Sequence, residues 1–456
     1  MLNAQDNRLL TETGPGTAMG GLFRQFWIPA LLASELPSPG CPPVAVKVLG
    51  QDFVAFRDSE GRVGVVEPHC PHRGANLFFG RNEEGGLRCV YHGWKFDVQG
   101  RCLDMPTLED GANRDRICSK MRLGALAAAE AGGFIWVHFA GPDEAPPLPA
   151  LEFATLPASH VYVSKKLQEC NWAQACEGGL DTAHFSFLHM SIHDGDQAAA
   201  TMGQSALVAS GNPALLRWCR DDGRPRFTVI DHEAGLVIGG ARRADGDDLY
   251  WRISQFLLPN HGLTPAAFPG ENYHGQTWVP IDDRSCWIYC YTWNPERPLT
   301  DAEREKFGGS HAVHAETDAN HVPLRNRSNL YLIDREEQRH RSYTGIRGVS
   351  EQDGCIQDSQ GFIADRTKEH LGPTDLGIVR FRKRILQAAR DLAEGKPPAA
   401  AIQSESYRVR SGSAIAPGSL PLQDVMLARF GHPHGRVPSD AAGGAPAPAN
   451  PNKETA

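Results

Sequence analysis

Between Phe26 and about Ala140 the apolar residues come in short runs broken by turn formers: PVAVKVLG, DFVAFRD, a DSEGR turn, VGVVEPHC and, closing the segment, GGFIWVHFAG. Runs of this length, rich in Val, Ile and Phe and bounded by Gly, Pro and Asp, predict strands, so 26–140 reads as a small all-β domain behind an N-terminal segment, 1–25. The Pro-rich stretch GPDEAPPLPA at 141–150 predicts a linker. Beyond it the pattern changes. ECNWAQACEGGLDTAHFSFLHMSIH is helical in part, and between Arg226 and Trp293 the runs FTVI, GLVIGG, LYWRISQFLL, GQTWVPI and CWIYCYTW predict an antiparallel sheet. Within Thr374–Glu394, Leu376, Val379, Ile385, Leu386, Ala389 and Leu392 recur at helical spacing before Gly395 and Pro397, which predicts an amphipathic helix. The fold class expected is therefore α+β, with a second domain over 151–436 and a polar, disordered tail over 437–456. No internal repeat is present.

Composition narrows the function. A chain of 456 residues is too long for one ordinary core. No apolar run approaches the roughly 20 residues of a membrane-spanning helix. The start MLNAQDNRLLTETGPG has neither the basic residues nor the apolar stretch of a signal peptide, so a cytoplasmic location is expected. Eleven cysteines are too dilute for a disulfide framework and suit a reducing compartment, with Cys102, Cys170, Cys286 and Cys290 expected as small buried apolar residues. A net charge of −8 argues against nucleic acid as a partner, and no basic amphipathic segment suggests a membrane surface.

The chemistry is concentrated in two clusters, Cys70-Pro-His72 and Cys89-Val-Tyr-His92, with sixteen residues between them. Each offers one thiolate and one imidazole. A Rieske [2Fe-2S] cluster takes two cysteines on one iron and two histidines on the other, and this spacing supplies both pairs. Tetrahedral zinc is the alternative, although its paired ligands usually stand farther apart than Cys70 and His72. His69 adjoins Cys70, but in an extended loop its side chain leaves on the opposite side. Downstream, Asp181, His184 and His189 form D-x-x-H-x-x-x-x-H. Two imidazoles and a carboxylate on one face hold mononuclear non-haem iron and leave positions open for dioxygen and substrate. With 18 histidines in the chain, and His189 and His193 also four apart, this spacing alone is weak.

Taken together, C-P-H-R-G-A, C-V-Y-H-G-W and N-W-x-Q-x-x-E-G-G-x-D-x-x-H-x-x-x-x-H resemble the α subunits of Rieske non-haem iron ring-hydroxylating oxygenases, in the phthalate 4,5-dioxygenase-like group that has no β subunit. The likeness runs from about Met1 to Gln403 and includes TGIRGVSEQDGCIQDSQG. The resemblance implies a Rieske domain followed by a catalytic domain whose antiparallel sheet is covered by helices, of helix-grip type. It matches Cys70, His72, Cys89 and His92 to the cluster, and His184 and His189 to the mononuclear iron. Of Asp353, Asp358 and Asp365 it favours Asp353 as third ligand, because related ligand aspartates stand five residues before an acidic position. It implies a trimer, or a multiple of one, in which Asp181 links the cluster of one subunit to the iron of its neighbour. Ala75 and Tyr91 occupy the places of the extra cysteines of respiratory Rieske loops, which implies the low-potential oxygenase type. No G-x-G-x-x-G follows a strand, so electrons are expected from NAD(P)H through a separate flavin and iron–sulfur reductase.

The implied reaction is cis-dihydroxylation of an aromatic carboxylate of the phthalate, isophthalate or substituted benzoate type. O-demethylation of a methoxylated, lignin-derived acid is the alternative. An acidic protein needs a local cation for such a substrate, and a guanidinium binds a carboxylate bidentately. Arg242, Arg243 and Arg252, on or near strands of the second domain, are the candidates, with the Phe185, Phe187, Leu188 and Met190 stretch as apolar wall.

Overall fold

The computed structural model describes residues 1–192 and 213–438. Its N-terminal part carries strands β1 (Ile28–Leu32), β2 (Val44–Val48), β3 (Gln51–Arg57) and β4 (Val63–Val66), then four short strands, β5 (Arg81–Glu83), β6 (Gly86–Arg88), β7 (Lys95–Phe96) and β8 (Cys102–Asp104), then β9 (Ala125–Ala131) and β10 (Phe134–His138). The longer strands form an antiparallel sheet in the order β1-β10-β9-β4-β3-β2, and β5 to β8 form a second sheet in sequence order. Alternation along β3 joins the two. Phe53 and Ala55 enter the main core, whereas Val54 and Phe56 point the other way and pack with Leu77, Leu87, Phe96, Cys70 and Cys89 under the small sheet.

The second part is one eight-stranded antiparallel sheet. Its strands are β11 (Val161–Gln168), β12 (Arg226–His232), β13 (Gly235–Arg243), β14 (Asp248–Leu257), β15 (His261–Leu263), β16 (Tyr273–Pro280) and β17 (Cys286–Trp293), in the order β11-β17-β16-β15-β14-β13-β12, with β18 (Gly412–Pro417) paired to the outer half of β14. Three helices position the chemistry: α1 (Trp172–Leu180), α2 (Val349–Ser359) and α3 (Leu376–Ala393). The helix α3 packs on the β12–β14 part of the sheet. Phe381 meets Phe256 edge-on, with ring centroids 4.8 Å apart, and Ile378, Ile385 and Ala389 are buried beside it.

Two expectations need correction. Leu376 and Val379, expected on the apolar stripe of α3, are exposed, because the buried row runs Ile378, Phe381, Ile385, Ala389 from the helix start at Leu376. The tail does not begin at Val437, which is buried and donates its N–H to the Arg408 carbonyl. The remainder of that tail, 439–456, and His193 lie outside the described residues. No helix among the described residues is long and apolar enough to cross a membrane.

Candidate metal centres and active site

The first Cys/His pair stands on the loop between β4 and β5 and the second on the loop between β6 and β7. The loops are built alike. Cys70 N–H donates to the Ala75 carbonyl and Gly74 N–H to the Cys70 carbonyl; in the same way Cys89 N–H donates to Trp94 and Gly93 N–H to Cys89, all within 2.8–2.9 Å. Gly93 has φ +78°, and a Cβ there would stand 2.6 Å from Pro106 Cγ, so this turn requires glycine. The two thiols are thereby buried together, and the His72 and His92 rings lie 4.4 Å apart with Trp94 stacked on His72 at 4.5 Å. Burial pushes the Cys70 thiol up to about 11, and Cys89 beside it acts in the same direction. His72 Nδ1 is buried and finds no hydrogen-bond partner among the described residues. Two crowded thiols facing two imidazoles, one with an orphaned ring nitrogen, fit a [2Fe-2S] cluster. His69 is exposed and bonded to the Gly74 carbonyl, outside this group.

The second constellation forms where α1 ends. Gly179 lets the helix lie directly on β16: a Cβ there would stand 2.2 Å from the Trp278 ring. Asp181 then leaves the helix in extended conformation, and the chain turns through His184 to His189. His184 Nδ1 lies 3.4 Å from Asp181 Oδ2, and His189 Nδ1 lies 2.7 Å from Gln352 Oε1. Both of these partners only accept, so each histidine carries its proton on Nδ1 and leaves Nε2 bare. The two Nε2 atoms face each other at 3.1 Å, with Asp353 Oδ1 at 3.5 and 3.2 Å from them.

Three acceptors thus converge with no donor among them, an arrangement that calls for a cation. Electrostatics agree. Burial works against charge on His184, yet the bond and charge of Asp181, helped by Asp353, raise its pKa above the ordinary value. Asp353 resists the effect of its own burial in the same way, held below the ordinary carboxylate range by His189 and His184. Among the described residues these three are the one group of at least three such ligands close enough to share an ion, and two imidazoles with one carboxylate suit non-haem iron.

The competing aspartates stand elsewhere. Asp358 accepts from Gln168 at 2.5 Å and from Tyr331, and Asp365 bonds Thr367 and Lys368 at the surface. Gln352 was not singled out by the sequence. Its only signal is that it precedes Asp353 within the EQDGC stretch.

A cavity of about 680 Å³, counting its open mouth, lies against the triad, walled by Phe185, Pro265, Ala266, Ala312, Val313 and Val349. Its apolar wall beside three metal-ligating groups suits a small organic ligand. Of the three candidate arginines only Arg252 reaches it. Its Nε donates to Thr182 Oγ1 at 2.9 Å, its guanidinium lies 4.2 Å over the Phe185 ring, and its buried Nη1 has no partner among the described residues. Arg242 turns instead to the Thr182 carbonyl and Ser186 within the protein. Arg243, its neighbour on β13, points to the opposite face, where its side chain is exposed beside Asp222. Phe185 and Met190 are buried near the triad, whereas Phe187 faces outward.

Residues 26–118 match the model of the Rieske [2Fe-2S] domain, and residues 137–425 match that of the LigXa C-terminal domain like family. The oxygenase subunit of 3-chlorobenzoate-3,4-dioxygenase of Comamonas testosteroni is 37% identical over 436 residues, 92% of this chain and 96% of that protein. The chain belongs to the Rieske non-haem iron aromatic oxygenase family. Two other members are the phthalate 4,5-dioxygenase oxygenase subunit of Pseudomonas putida, 37% identical over 85% of this chain and 86% of its own length, and the 5,5'-dehydrodivanillate O-demethylase oxygenase subunit of Sphingobium sp., 30% identical over 88% and 84%. As a Rieske oxygenase the protein is an oxidoreductase with a [2Fe-2S] cluster and a mononuclear iron as cofactors. The zinc alternative for the cysteine and histidine loops is thereby set aside.

Proposed function

We propose that this Rieske oxygenase hydroxylates an aromatic acid bearing one ring carboxylate. The observation that carries this reading is Arg252, a buried guanidinium at the wall of the cavity, with an Nη1 that has no partner among the described residues and Phe185 beneath it. A ring can lie along the apolar wall while its carboxylate meets the guanidinium. Two arginines in the cavity would suit a dicarboxylate. One suits a benzoate, and 3-chlorobenzoate is the compound named for one relative.

Cys70, His72, Cys89 and His92 are assigned to the cluster, and His184, His189 and Asp353 to the mononuclear iron. The chemistry supplied there is one-electron transfer at the cluster and activation of dioxygen at the iron. The protein's own part is positional. Gln352 and Asp181 hold the Nδ1 protons of the two histidines, so that both rings present Nε2 in a fixed direction. The chain acts as the oxygenase component of a multicomponent system in the cytoplasm, with the Rieske domain over 26–140, a linker over 141–150 and the catalytic domain beyond. A flavin and iron–sulfur reductase oxidising NAD(P)H supplies the electrons, and the working form is a trimer or a multiple of one. Exposed Val90 and Tyr91, on the second cluster loop, give a partner an apolar contact.

The test is a single turnover of the chemically reduced protein under labelled dioxygen with a panel of aromatic acids. A dihydrodiol carrying two labelled oxygens from a benzoate supports the reading. A demethylated phenol with formaldehyde, from a methoxylated acid, would assign the protein to O-demethylation instead, the reaction named for the Sphingobium relative.

A further inference from the structure

Behind the cavity, three strands of the sheet carry a row of polar groups that neither metal site uses. His274 on β16, Thr292 on β17 and Tyr162 on β11 are cross-strand neighbours, and Ser164 lies two residues along from Tyr162 on the same face. His274 lines the cavity beside the triad. Its Nδ1 is 2.7 Å from Thr292 Oγ1, Thr292 Oγ1 is 2.8 Å from His314 Nε2, and His314 Nδ1 is 2.7 Å from Ser164 Oγ. The three inner members are buried and Ser164 is half-buried. We propose that His274, Thr292, His314 and Ser164 form a relay that delivers a proton from the half-buried Ser164 on the edge strand β11 into the active-site cavity.

The relay works because every member can both give and accept, and because the chain of bonds is satisfied in either direction. In one arrangement Ser164 donates to His314 Nδ1, His314 Nε2–H donates to Thr292, Thr292 donates to His274 Nδ1, and His274 presents Nε2–H to the cavity. In the other arrangement each bond is reversed and His274 presents a bare Nε2. Passing between them takes one proton from solvent at Ser164 and releases one from His274 Nε2; five bonds to hydrogen form and five break, with no net charge left behind. Such switching requires both imidazoles to be neutral, and burial holds His274 at about 3 and His314 well below its ordinary range. Cis-dihydroxylation combines one arene, one dioxygen, two electrons and two protons into one dihydrodiol. The electrons come from the reductase, and the relay supplies one of the protons to the oxygen reduced in the cavity. His274 is on this assignment a catalytic residue, and Thr292, His314 and Ser164 act through it.

The proposal rests on the dioxygen chemistry of the site and not on which acid is the substrate. Its test uses Thr292→Val, which keeps the shape of the side chain and removes the hydroxyl, with Thr292→Ser as the conservative control. Single-turnover product formation should fall at least tenfold in Thr292→Val with substrate binding, iron content and the reduced-cluster EPR signal unchanged, and should recover to within about threefold in Thr292→Ser. Independently of turnover, solid-state NMR of the full-length protein labelled with [15N]histidine should find both tautomers of His314 in the wild type and only the Nδ1–H form in Thr292→Val. A single fixed tautomer in the wild type would overturn the relay, as would wild-type turnover by Thr292→Val. If no aromatic acid is turned over by the wild type, the substrate reading fails while the tautomer measurement still decides the relay.

Discussion

Asp353 and Asp358 stand five residues apart on α2, and what separates them is the company each keeps. Asp353 faces two bare imidazole nitrogens, whereas Asp358 accepts hydrogen bonds from Gln168 and Tyr331 and needs no cation. Asp353→Ala is therefore expected to lose the mononuclear iron while keeping the visible and EPR spectra of the cluster, so that iron analysis falls from about three per chain to about two. Asp358→Ala should keep all three irons. Its cost should appear in stability, because it leaves the buried Gln168 amide and Tyr331 hydroxyl short of an acceptor, a loss of about 1–3 kcal/mol for each such group. At this scale the sequence was legible where two residues of a motif stand close together. Cys70, His72, Cys89, His92, His184 and His189, which the structure brings into two groups, could all be singled out from spacing and resemblance. Arg252 could not be told from Arg242 and Arg243, because strand alternation assigns faces only once the register with β14 is known, and Gln352 has no spacing relation to His189 at all.

The elements that bring the ligands together depend on two adjacent positions of α1. Gly179 allows the helix to touch Trp278, and Gly178 allows it to touch Gln357 of α2, so the E-G-G stretch sets the distance from His184 to Asp353. Trp278 is buried and its ring has nowhere to move. Gly179→Ala should therefore lift the end of α1 from the sheet, lowering stability by about 1–3 kcal/mol as overpacking does, and reducing mononuclear iron occupancy while leaving the cluster spectrum intact. One residue earlier, Glu177 ties α1 to α3 and to the segment before it: Arg366 of that segment donates to it at 2.9 Å and Arg382 of α3 at 2.6 Å, all three side chains being largely buried. Burial alone would raise the carboxyl, but the two guanidiniums outweigh it and hold Glu177 below its ordinary 4.5. A carboxyl depressed in the folded state stabilises above its unfolded pKa, and the contribution is lost as pH falls through the folded value. Glu177→Gln should thus unfold more readily at pH 7, by about 3–5 kcal/mol as for a broken buried pair, and its stability should fall less steeply than that of the wild type below about pH 4 in acid titrations followed by circular dichroism. Strands that are nearly continuous apolar and aromatic runs, such as Cys286–Trp293, were legible in advance. The strand at Gly412–Pro417 was not, since its small residues gain strand character only from pairing with β14.

For the whole molecule, the question is how an electron leaves the cluster loops and reaches the triad. The loops stand at the end of the small N-terminal sheet, with Val90 and Tyr91 exposed, and Asp181 stands next to His184 where the cavity meets a second groove lined by Glu177, Gln360 and Asp365. In a head-to-tail ring each subunit would set its cluster loop against the groove of the next, and Asp181 would then lie between a histidine of one cluster and His184 of the neighbouring iron. Within one chain Asp181 already accepts from Ala183 N–H at 2.6 Å and faces His184 through its other oxygen, so it is oriented before any partner arrives. The carboxylate holds charge opposite His184, which an amide of the same shape cannot do. Asp181→Asn is therefore expected to assemble to the same size and bind all three irons per chain, yet to reduce the mononuclear site at least tenfold more slowly. Rapid mixing of the reduced protein with dioxygen and substrate, following re-oxidation of the cluster in the visible spectrum, measures that step directly. If cluster re-oxidation in Asp181→Asn matches the wild type, electrons do not pass by this carboxylate, and the arrangement of subunits proposed here would have to be abandoned with it.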